Sequence, residues 1–150
     1  TSIVAKADDI TAEVTGTMEK SSAIYEWIAE HIELIPHSGG TDQVQTATAV
    51  LEQGEAGSAG MARLSAAMHR AIGIPAKVVS GEALVDEEWQ QHYWTEAFVE
   101  GRWVVQDTSW STVSDYGEDR KGDPEAREEF FDPDKQQFAE HHQKAMDLLE

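Results

Sequence analysis

The stretch "EQGEAGSAGMARLSAAMHRAIGIPAKVVSG", residues 52–81, carries the signals that decide how the chain folds. Apolar residues recur at helical spacing over residues 58–72 and predict a buried helix that stops at Gly73. The "IPAKVVSG" that follows predicts a strand, because proline favours an extended entry and valine favours β structure. The first turn of the helix contains a serine, Ser58, in a chain without cysteine. We therefore expect a core helix that leads directly into a strand.

Three further helices are predicted upstream of this segment. The first covers Ile3 to Val14, and Thr17 then offers an N-cap for the second. The second helix carries a broad apolar stripe and should stop before Pro36. Residues 44–53 predict a short third helix, which Gly54 closes.

Two strands are predicted downstream, in "HYWTEAFVEGRWVVQD", residues 92–107. Glu100 and Gly101 favour a tight hairpin turn between them. The acidic "GEALVDEEWQQ", residues 81–91, is interpreted as a loop. Residues 111–129 are interpreted as a long surface excursion.

A closing helix is predicted after the "DPD" of residues 132–134, with Phe138, His142, Ala145 and Leu149 at helical spacing. The order of elements, helices first and antiparallel strands after them, indicates an α+β fold. A chain of 150 residues fits one domain, so we expect residues 1–150 to form a single unit.

The composition excludes several classes of partner and site. The chain has 29 acidic and 11 basic residues and a formal charge of -18, which would repel nucleic acid and an anionic membrane. No apolar run is long enough to span a bilayer, so a soluble protein is expected, with the cytoplasm slightly favoured and the compartment otherwise open. Because cysteine is absent, disulfides, thiolate zinc sites and a cysteine nucleophile are excluded.

The register of the predicted hairpin brings a histidine close to a carboxylate. If Glu100 and Gly101 are the turn residues, paired residue numbers sum to 201 and Asp107 lies opposite Trp94. Because side chains alternate, His92 shares the face of Trp94, one diagonal step from Asp107. The carboxylate can then orient the imidazole, provided that the turn has two residues.

Ser58 stands where a nucleophile has two physical advantages. The first backbone N–H groups of a helix have no helical partner, and the helix field favours negative charge there. If the helix packs on the hairpin, Ser58 can meet His92, which gives nucleophile, base and orienting acid in the order Ser58, His92, Asp107. The alternative for each residue stays open: an N-cap serine, a packed histidine and a turn-forming aspartate.

Two segments, "GSAGMARLSAAMHRAIGIPAKVVSG" and "HYWTEAFVEGRWVVQDTSW", together resemble the core of the transglutaminase-like superfamily. Its members carry a cysteine before an alanine-rich helix, a "GIPAR"-type exit, an H-x-W-x-E strand and a W-x-x-x-D strand. The segments "AIYEWIAEHIEL" and "FFDPDKQQFAEHH" extend the resemblance over nearly the whole chain. The joint pattern is specific, whereas "GIPA" alone would be weak.

The resemblance implies a papain-like α+β fold and places the catalytic Cys, His and Asp of the family at Ser58, His92 and Asp107. It implies an oxyanion site at the backbone N–H groups of Ser58 and Ala59, and a cleft flanked by Trp94. The family attacks an amide with a thiolate, and water or an amine resolves the thioester. The implied substrate is a peptide or protein, and no cofactor is implied.

The serine at position 58 departs from the family pattern and has three interpretations. In order of preference, these are a Cys-to-Ser change that silences an enzyme, a natural loss of activity, and a working serine variant. A non-catalytic peptide-binding or interaction domain that keeps the cleft is the alternative function, and a plain scaffold is a third. The substrate bond, calcium activation and oligomeric state are not determined by the sequence.

The remaining candidates receive structural interpretations. Gln43 or Gln45 could supply a further oxyanion donor, with surface placement favoured for both. Glu96 is expected to be solvated or paired, and Trp103 to pack on the face of Asp107. No metal is expected: His31, His37 and His69 have no second histidine at i+4, and His141, His142 and Glu140 are interpreted as a solvated helix face. The acidic segments 82–88 and 115–134 lack EF-hand spacing and are interpreted as solvated loops.

Overall fold

The computed structural model of the chain describes residues 2–35, 45–85, 87–111 and 129–148. The candidates Gln43 and His37 and most of the predicted surface excursion at 111–129 lie outside these residues. Within them, helices form the amino-terminal half and an antiparallel sheet forms the rest, as the predicted α+β order requires.

The elements follow one another in a fixed order along the chain. They are α1 (Ile3–Thr11), α2 (Thr17–His31), β1 (Glu33–Leu34), α3 (Ala47–Gln53), β2 (Glu55–Ala56), α4 (Ser58–Ala71), β3 (Ala76–Val85), β4 (Glu88–Val99), β5 (Arg102–Gln106), a 3₁₀ turn (Thr108–Ser111), α5 (Lys135–Ala139) and β6 (His142–Leu148). Strands β1 and β2 form a short parallel pair. The main sheet has the strand order β5-β4-β3-β6, and all its neighbours are antiparallel.

Helix α4 is the central element, because it is buried on two sides. Its large apolar residues, Met61, Leu64 and Met68, face α1, α2 and α3. Its alanines, Ala62 and Ala66, face the sheet, where their small side chains let the helix backbone approach the strands closely. The Thr95 hydroxyl on β4 donates to the Ala62 carbonyl at 3.3 Å, which ties helix and sheet together directly. The amino-terminal end of α4 is thereby fixed beside β4.

The ends of the predicted helices agree in part with the structure. Gly54 ends α3 in the left-handed conformation, with φ 75°, as predicted. Thr17 is not an N-cap: Gly16 holds that position, and no side chain caps α2. The reason is that the Gly16 backbone, with φ 91° and ψ 136°, supplies a sharp entry that makes Thr17 the first helical residue.

The interpretation of residues 81–91 as a loop is wrong. Strands β3 and β4 continue through this acidic segment as a long hairpin, with ten paired positions from Ala76 opposite Ala97 to Val85 opposite Glu88. Glu82, Glu87 and Glu88 are exposed, while Ala83 is buried and pairs on its other side with β6. Cross-strand pairing therefore outweighs the low strand propensity of the acidic residues.

The predicted closing helix is also wrong beyond its first turn. Asp134 caps α5 by accepting from the backbone N–H groups of Gln136 and Gln137, but α5 ends at Ala139. Residues 142–148 instead form β6, which pairs with β3 at the edge of the sheet. Helical spacing in this segment is a local preference that the open edge of β3 overrides. Within the described residues, no helix has the length and apolar character needed to cross a bilayer.

Candidate active site

Ser58 is the first residue of α4, and it is half-buried rather than capping the helix. Gly57 holds the N-cap position, and no side chain caps the helix. The Ser58 hydroxyl oxygen accepts a hydrogen bond from the backbone N–H of Tyr93 at 3.3 Å. That amide is bonded to the carbonyl carbon of His92, so the hydroxyl lies beside the strand that carries the predicted base.

The first-turn amides of α4 are the candidate oxyanion donors. The first helical bond runs from Met61 N–H to the Gly57 carbonyl, so the N–H groups of Ser58 and Ala59 precede it. Ala59 is fully buried. Gln45 lies against Gly60, where a Cβ would approach the Gln45 Oε1 to 2.6 Å. Its amide nitrogen donates to the Glu55 carbonyl oxygen at 2.9 Å and to Gln53 Oε1 at 3.2 Å, so both of its hydrogens have partners.

The hairpin register matches the prediction. Val99 pairs with Arg102 and Thr95 with Gln106, so paired numbers sum to 201. Asp107 follows directly after β5, and its Oδ2 accepts from Nε2 of His92 at 2.8 Å. Because Nε2 is used for the carboxylate, Nδ1 is the nitrogen left for a nucleophile. In the described part of the chain, Ser58 and His92 share no hydrogen bond; the Ser58 oxygen accepts from Tyr93 N–H and keeps its own hydrogen to donate.

The Asp107 carboxylate is fully buried and ionised. Burial alone would raise its pKa, but the attraction of His92 and hydrogen bonds from His142 and His92 lower the pKa of Asp107 well below its usual range. Ser109 adds a third donor, from its hydroxyl to Oδ1 at 2.8 Å. Ser109 Oγ also lies 3.2 Å from His92 Nε2. The carboxylate is thus held by partners on both oxygens.

His142 is the residue that the sequence interpretation missed. It is 3% exposed rather than solvated, and its Nε2 donates to the same Asp107 Oδ2 at 2.7 Å. Its ring stacks on Phe138 with centroids 3.8 Å apart and lies 4.5 Å from the ring of Trp110. The error has a clear cause: a helical register turns His142 toward solvent, whereas β6 turns it toward Asp107.

Trp94 forms a wall of this cluster. It is 2% exposed, and its ring contacts those of Phe138 and His142 at centroid distances of 5.4 and 5.2 Å. Gly81, which pairs with His92, leaves room for it: a Cβ there would lie 2.7 Å from the Trp94 ring and would also strike the Gln143 carbonyl. Among the described residues, Trp94 Nε1 is buried without a hydrogen-bond partner.

Comparison with known proteins identifies the family of the chain. Residues 4–108 match the transglutaminase-like superfamily. The chain belongs to that superfamily. No curated protein matches it.

Solved structures support the papain-like α+β core of this transglutaminase-like chain. It is similar to a candidate cysteine protease from Cytophaga hutchinsonii, with 25% identity and a TM-score of 0.64 over 71% of this chain and 36% of that one. It also resembles a candidate protease from Parabacteroides distasonis, with 18% identity and a TM-score of 0.56 over 71% and 26%. A TGase matches with 17% identity and a TM-score of 0.53 over 71% and 29%. The last two likenesses show the fold alone, and the chain spans about a third of the length of these proteins.

His92, Asp107 and His142 lie close enough to be considered as metal ligands, but they are hydrogen-bonded to one another. Within the described ranges, His92, Asp107 and His142 place their donor atoms within 4.8 Å of one another. The separations of 2.7 and 2.8 Å are hydrogen-bond lengths, and both Nε2 atoms direct a hydrogen at Oδ2. The three groups satisfy one another, so we assign no metal to them.

A third buried histidine, His69, lies in α4 outside the site. Burial, partly opposed by a hydrogen bond to the Ser65 carbonyl, lowers the pKa of His69 from 6.5 to about 4, so the ring is neutral. Nδ1 donates to that carbonyl at 2.7 Å, and Nε2 accepts from the Ser21 hydroxyl at 2.7 Å. The Ser21 oxygen in turn accepts from Gln106 Nε2 at 2.7 Å. This network joins α2, α4 and β5 just before Asp107.

Two further sequence candidates lie on the sheet away from the triad. Glu96 is paired, as expected, with Lys77 Nζ at 3.5 Å and Lys144 Nζ at 3.7 Å. Trp103 packs as expected on neighbours of that face, under Lys77 Nζ at 4.1 Å and beside Phe98, although it keeps 40% exposure.

Proposed function

We propose that this chain is a single transglutaminase-like domain whose site is built for acyl transfer or hydrolysis at an amide of a peptide or protein. Ser58, His92 and Asp107 take the roles of nucleophile, base and orienting acid. The observation that carries the proposal is the 2.8 Å bond from His92 Nε2 to the buried Asp107 carboxylate. His92 lies on β4, the strand whose Tyr93 N–H donates to the Ser58 hydroxyl oxygen.

The position of the hydrogen on His92 follows from its partner. Because ionised Asp107 only accepts, neutral His92 carries its hydrogen on Nε2 and leaves Nδ1 free to take a proton. After the transfer, the imidazolium faces a carboxylate that is already in place. The same nitrogen can return the proton to the leaving amine.

The Ser58 hydroxyl keeps its own hydrogen to donate while its oxygen accepts from a backbone N–H. Ser58 accepts from Tyr93 N–H, and a rotation about its Cα–Cβ bond would turn the hydroxyl toward His92 Nδ1. The first-turn amides of α4 would then stabilise the oxyanion of the tetrahedral intermediate. The new bond joins Oγ to the carbonyl carbon, and the amine departs with the proton from His92.

Serine at this position silences the chemistry. A helix start and a neighbouring imidazolium lower the pKa of a thiol to about 3.5 to 7.5, so a cysteine is stored as thiolate. An alcohol is far more basic and loses its proton only during attack. A site that stores a thiolate–imidazolium pair therefore gives little activity with Ser58.

The experiment is restoration by Ser58→Cys. We expect this variant to hydrolyse or aminolyse amides of a casein-derived peptide pool, detected by mass spectrometry, and His92→Ala in the same background to abolish the products. Ser58→Ala is the matched control. Absence of products from Ser58→Cys, with the chain folded, would contradict an acyl-transfer site.

The alternative function is a peptide-binding domain that keeps the cleft without chemistry, and Ser58 itself is the observation that favours it. In that case Ser58→Cys gains no products, while the chain still retains peptides from the pool. Retention that His92→Ala and Asp107→Ala reduce would favour this alternative, whereas retention that they leave unchanged would favour a plain scaffold.

A further inference from the structure

His142 shares the Asp107 carboxylate with His92, although no step of the proposed acyl transfer uses it. Both Nε2 atoms lie on the same oxygen, Oδ2, at 2.7 Å for His142 and 2.8 Å for His92. A buried carboxylate needs donors, and the pair of imidazoles supplies two of them on one oxygen. The shorter of the two bonds belongs to the residue outside the triad.

The protonation of His142 follows from its partners. Toward ionised Asp107, Nε2 must carry a hydrogen. On the other side of the ring, Nδ1 lies 2.9 Å from Nδ1 of His141, and such a contact contains one hydrogen. When His142 is neutral, His141 is the donor, and this bond keeps the His142 hydrogen on Nε2. His141 thus selects the tautomer that Asp107 requires.

The surroundings hold the His142 ring in place. The titratable groups that face it are Asp107, His92 and His141. Among the described residues, four aromatic rings also lie around it, which belong to Phe138, Trp94, Trp110 and Phe130. Pairing with Ala83 of β3 fixes the backbone. A ring packed on several sides and bonded at both nitrogens has little freedom to turn.

We propose that His142 is a positioning residue that holds the Asp107 carboxylate in line with His92. The inference rests on the proposed function, because it gives a role to the carboxylate of that triad. His142 acts through Asp107 and does not touch the substrate.

Two substitutions separate this role from packing. His142→Gln places an amide N–H near the position of Nε2 and keeps a donor for Asp107, whereas His142→Phe keeps an aromatic ring and loses the donor. In the Ser58→Cys background, the readout is the rate of alkylation by iodoacetamide at about pH 6 divided by the rate at about pH 10. At the higher pH the thiol is ionised in every variant, so the ratio reports the ionisation of Cys at the site rather than access to it.

We expect His142→Phe to lower this ratio about tenfold and His142→Gln to stay within about threefold of the parent. An unchanged ratio in His142→Phe would mean that His142 only packs. A raised ratio would mean that His142 draws charge away from His92, and either result overturns the proposal. If His142→Phe does not fold, His142→Asn, whose shorter amide cannot reach Asp107, replaces it.

A second readout uses the chain with Ser58 and does not depend on chemistry. In NMR, the Nε2–H of His92 should exchange slowly with water in the native chain and in His142→Gln, and about tenfold faster in His142→Phe. Equal exchange in all three overturns the proposal. If Ser58→Cys lacks enhanced reactivity at low pH while this exchange pattern holds, the proposed function fails and the role of His142 in holding Asp107 stands.

Discussion

His69 and His92 are both buried imidazoles, yet they lie in networks of opposite character. His69 is bonded to a carbonyl and a hydroxyl, and its pKa is lowered to about 4, so it stays neutral. His92 is bonded to an ionised carboxylate, Asp107. Gln106 belongs to the network of His69, and the next residue, Asp107, belongs to the network of His92. Burial among neutral partners gives His69 a structural role, whereas the carboxylate partner of His92 fixes the orientation of its ring and places a hydrogen on Nε2.

The largest expected effect is the acid sensitivity that His69 gives to the fold. In the unfolded chain His69 takes up a proton near pH 6.5, and in the folded chain only near pH 4. Between these values the unfolded state binds more protons, so the free energy of unfolding should fall as the pH is lowered, by about 3 kcal/mol. Urea unfolding from pH 7 to 4 measures this fall. His69→Gln should remove it, while the exposed control His31→Gln should keep it.

The Asp107 network should respond to acid in a different window. The lowered pKa of Asp107 contributes stability that is present above its ordinary pKa and lost only as the pH falls below about 4. If the free energy of unfolding of His69→Gln still falls between pH 6.5 and 4, the two networks do not respond to acid in separate windows.

The next prediction concerns a substitution that breaks the hydrogen bond between Asp107 and His92. In the Ser58→Cys background, Asp107→Asn should lower the rate of alkylation at about pH 6 about a hundredfold, because the imidazolium loses its counter-charge and Asn presents an N–H to its donors. Asp132→Asn, which removes an exposed carboxylate paired with Arg102, is the matched control and should leave the rate unchanged. Equal rates in the two variants would contradict the role of Asp107.

A smaller effect is expected from the neutral network. Ser21→Ala removes the hydroxyl between Gln106 and His69 and leaves two buried nitrogens without that partner, so the free energy of unfolding should fall by about 2 kcal/mol. Thr17→Ala, at an exposed hydroxyl that caps nothing, should change it by less than about 0.5 kcal/mol. Thermal unfolding with calorimetric enthalpies would check both values. A loss as small in Ser21→Ala as in Thr17→Ala would mean that the network adds no stability.

The parts that the sequence predicted are those that local rules determine. The turn at Glu100 and Gly101 sets the hairpin register by chemistry within two residues, and the contact of His92 with Asp107 follows from it by alternation. The alanine-rich periodicity of α4 likewise predicts a buried helix that starts at Ser58.

The parts that the sequence did not predict depend on distant partners. Residues 142–148 form β6 because they pair with the open edge of β3, and their own sequence does not indicate that edge. His142 reaches Asp107 only through this pairing, across 35 residues. The "HH" of residues 141–142 was the available signal: His142 begins β6 and bonds to Asp107 through Nε2, while its Nδ1 bonds to His141, which precedes the strand.

The most direct test of the account is the alkylation rate of Ser58→Cys from about pH 5 to 9. We expect an apparent thiol pKa well below the ordinary value of about 8.5, which returns toward that value in a His92→Ala background. An ordinary or raised thiol pKa that His92→Ala leaves unchanged would contradict an assembled triad of Ser58, His92 and Asp107.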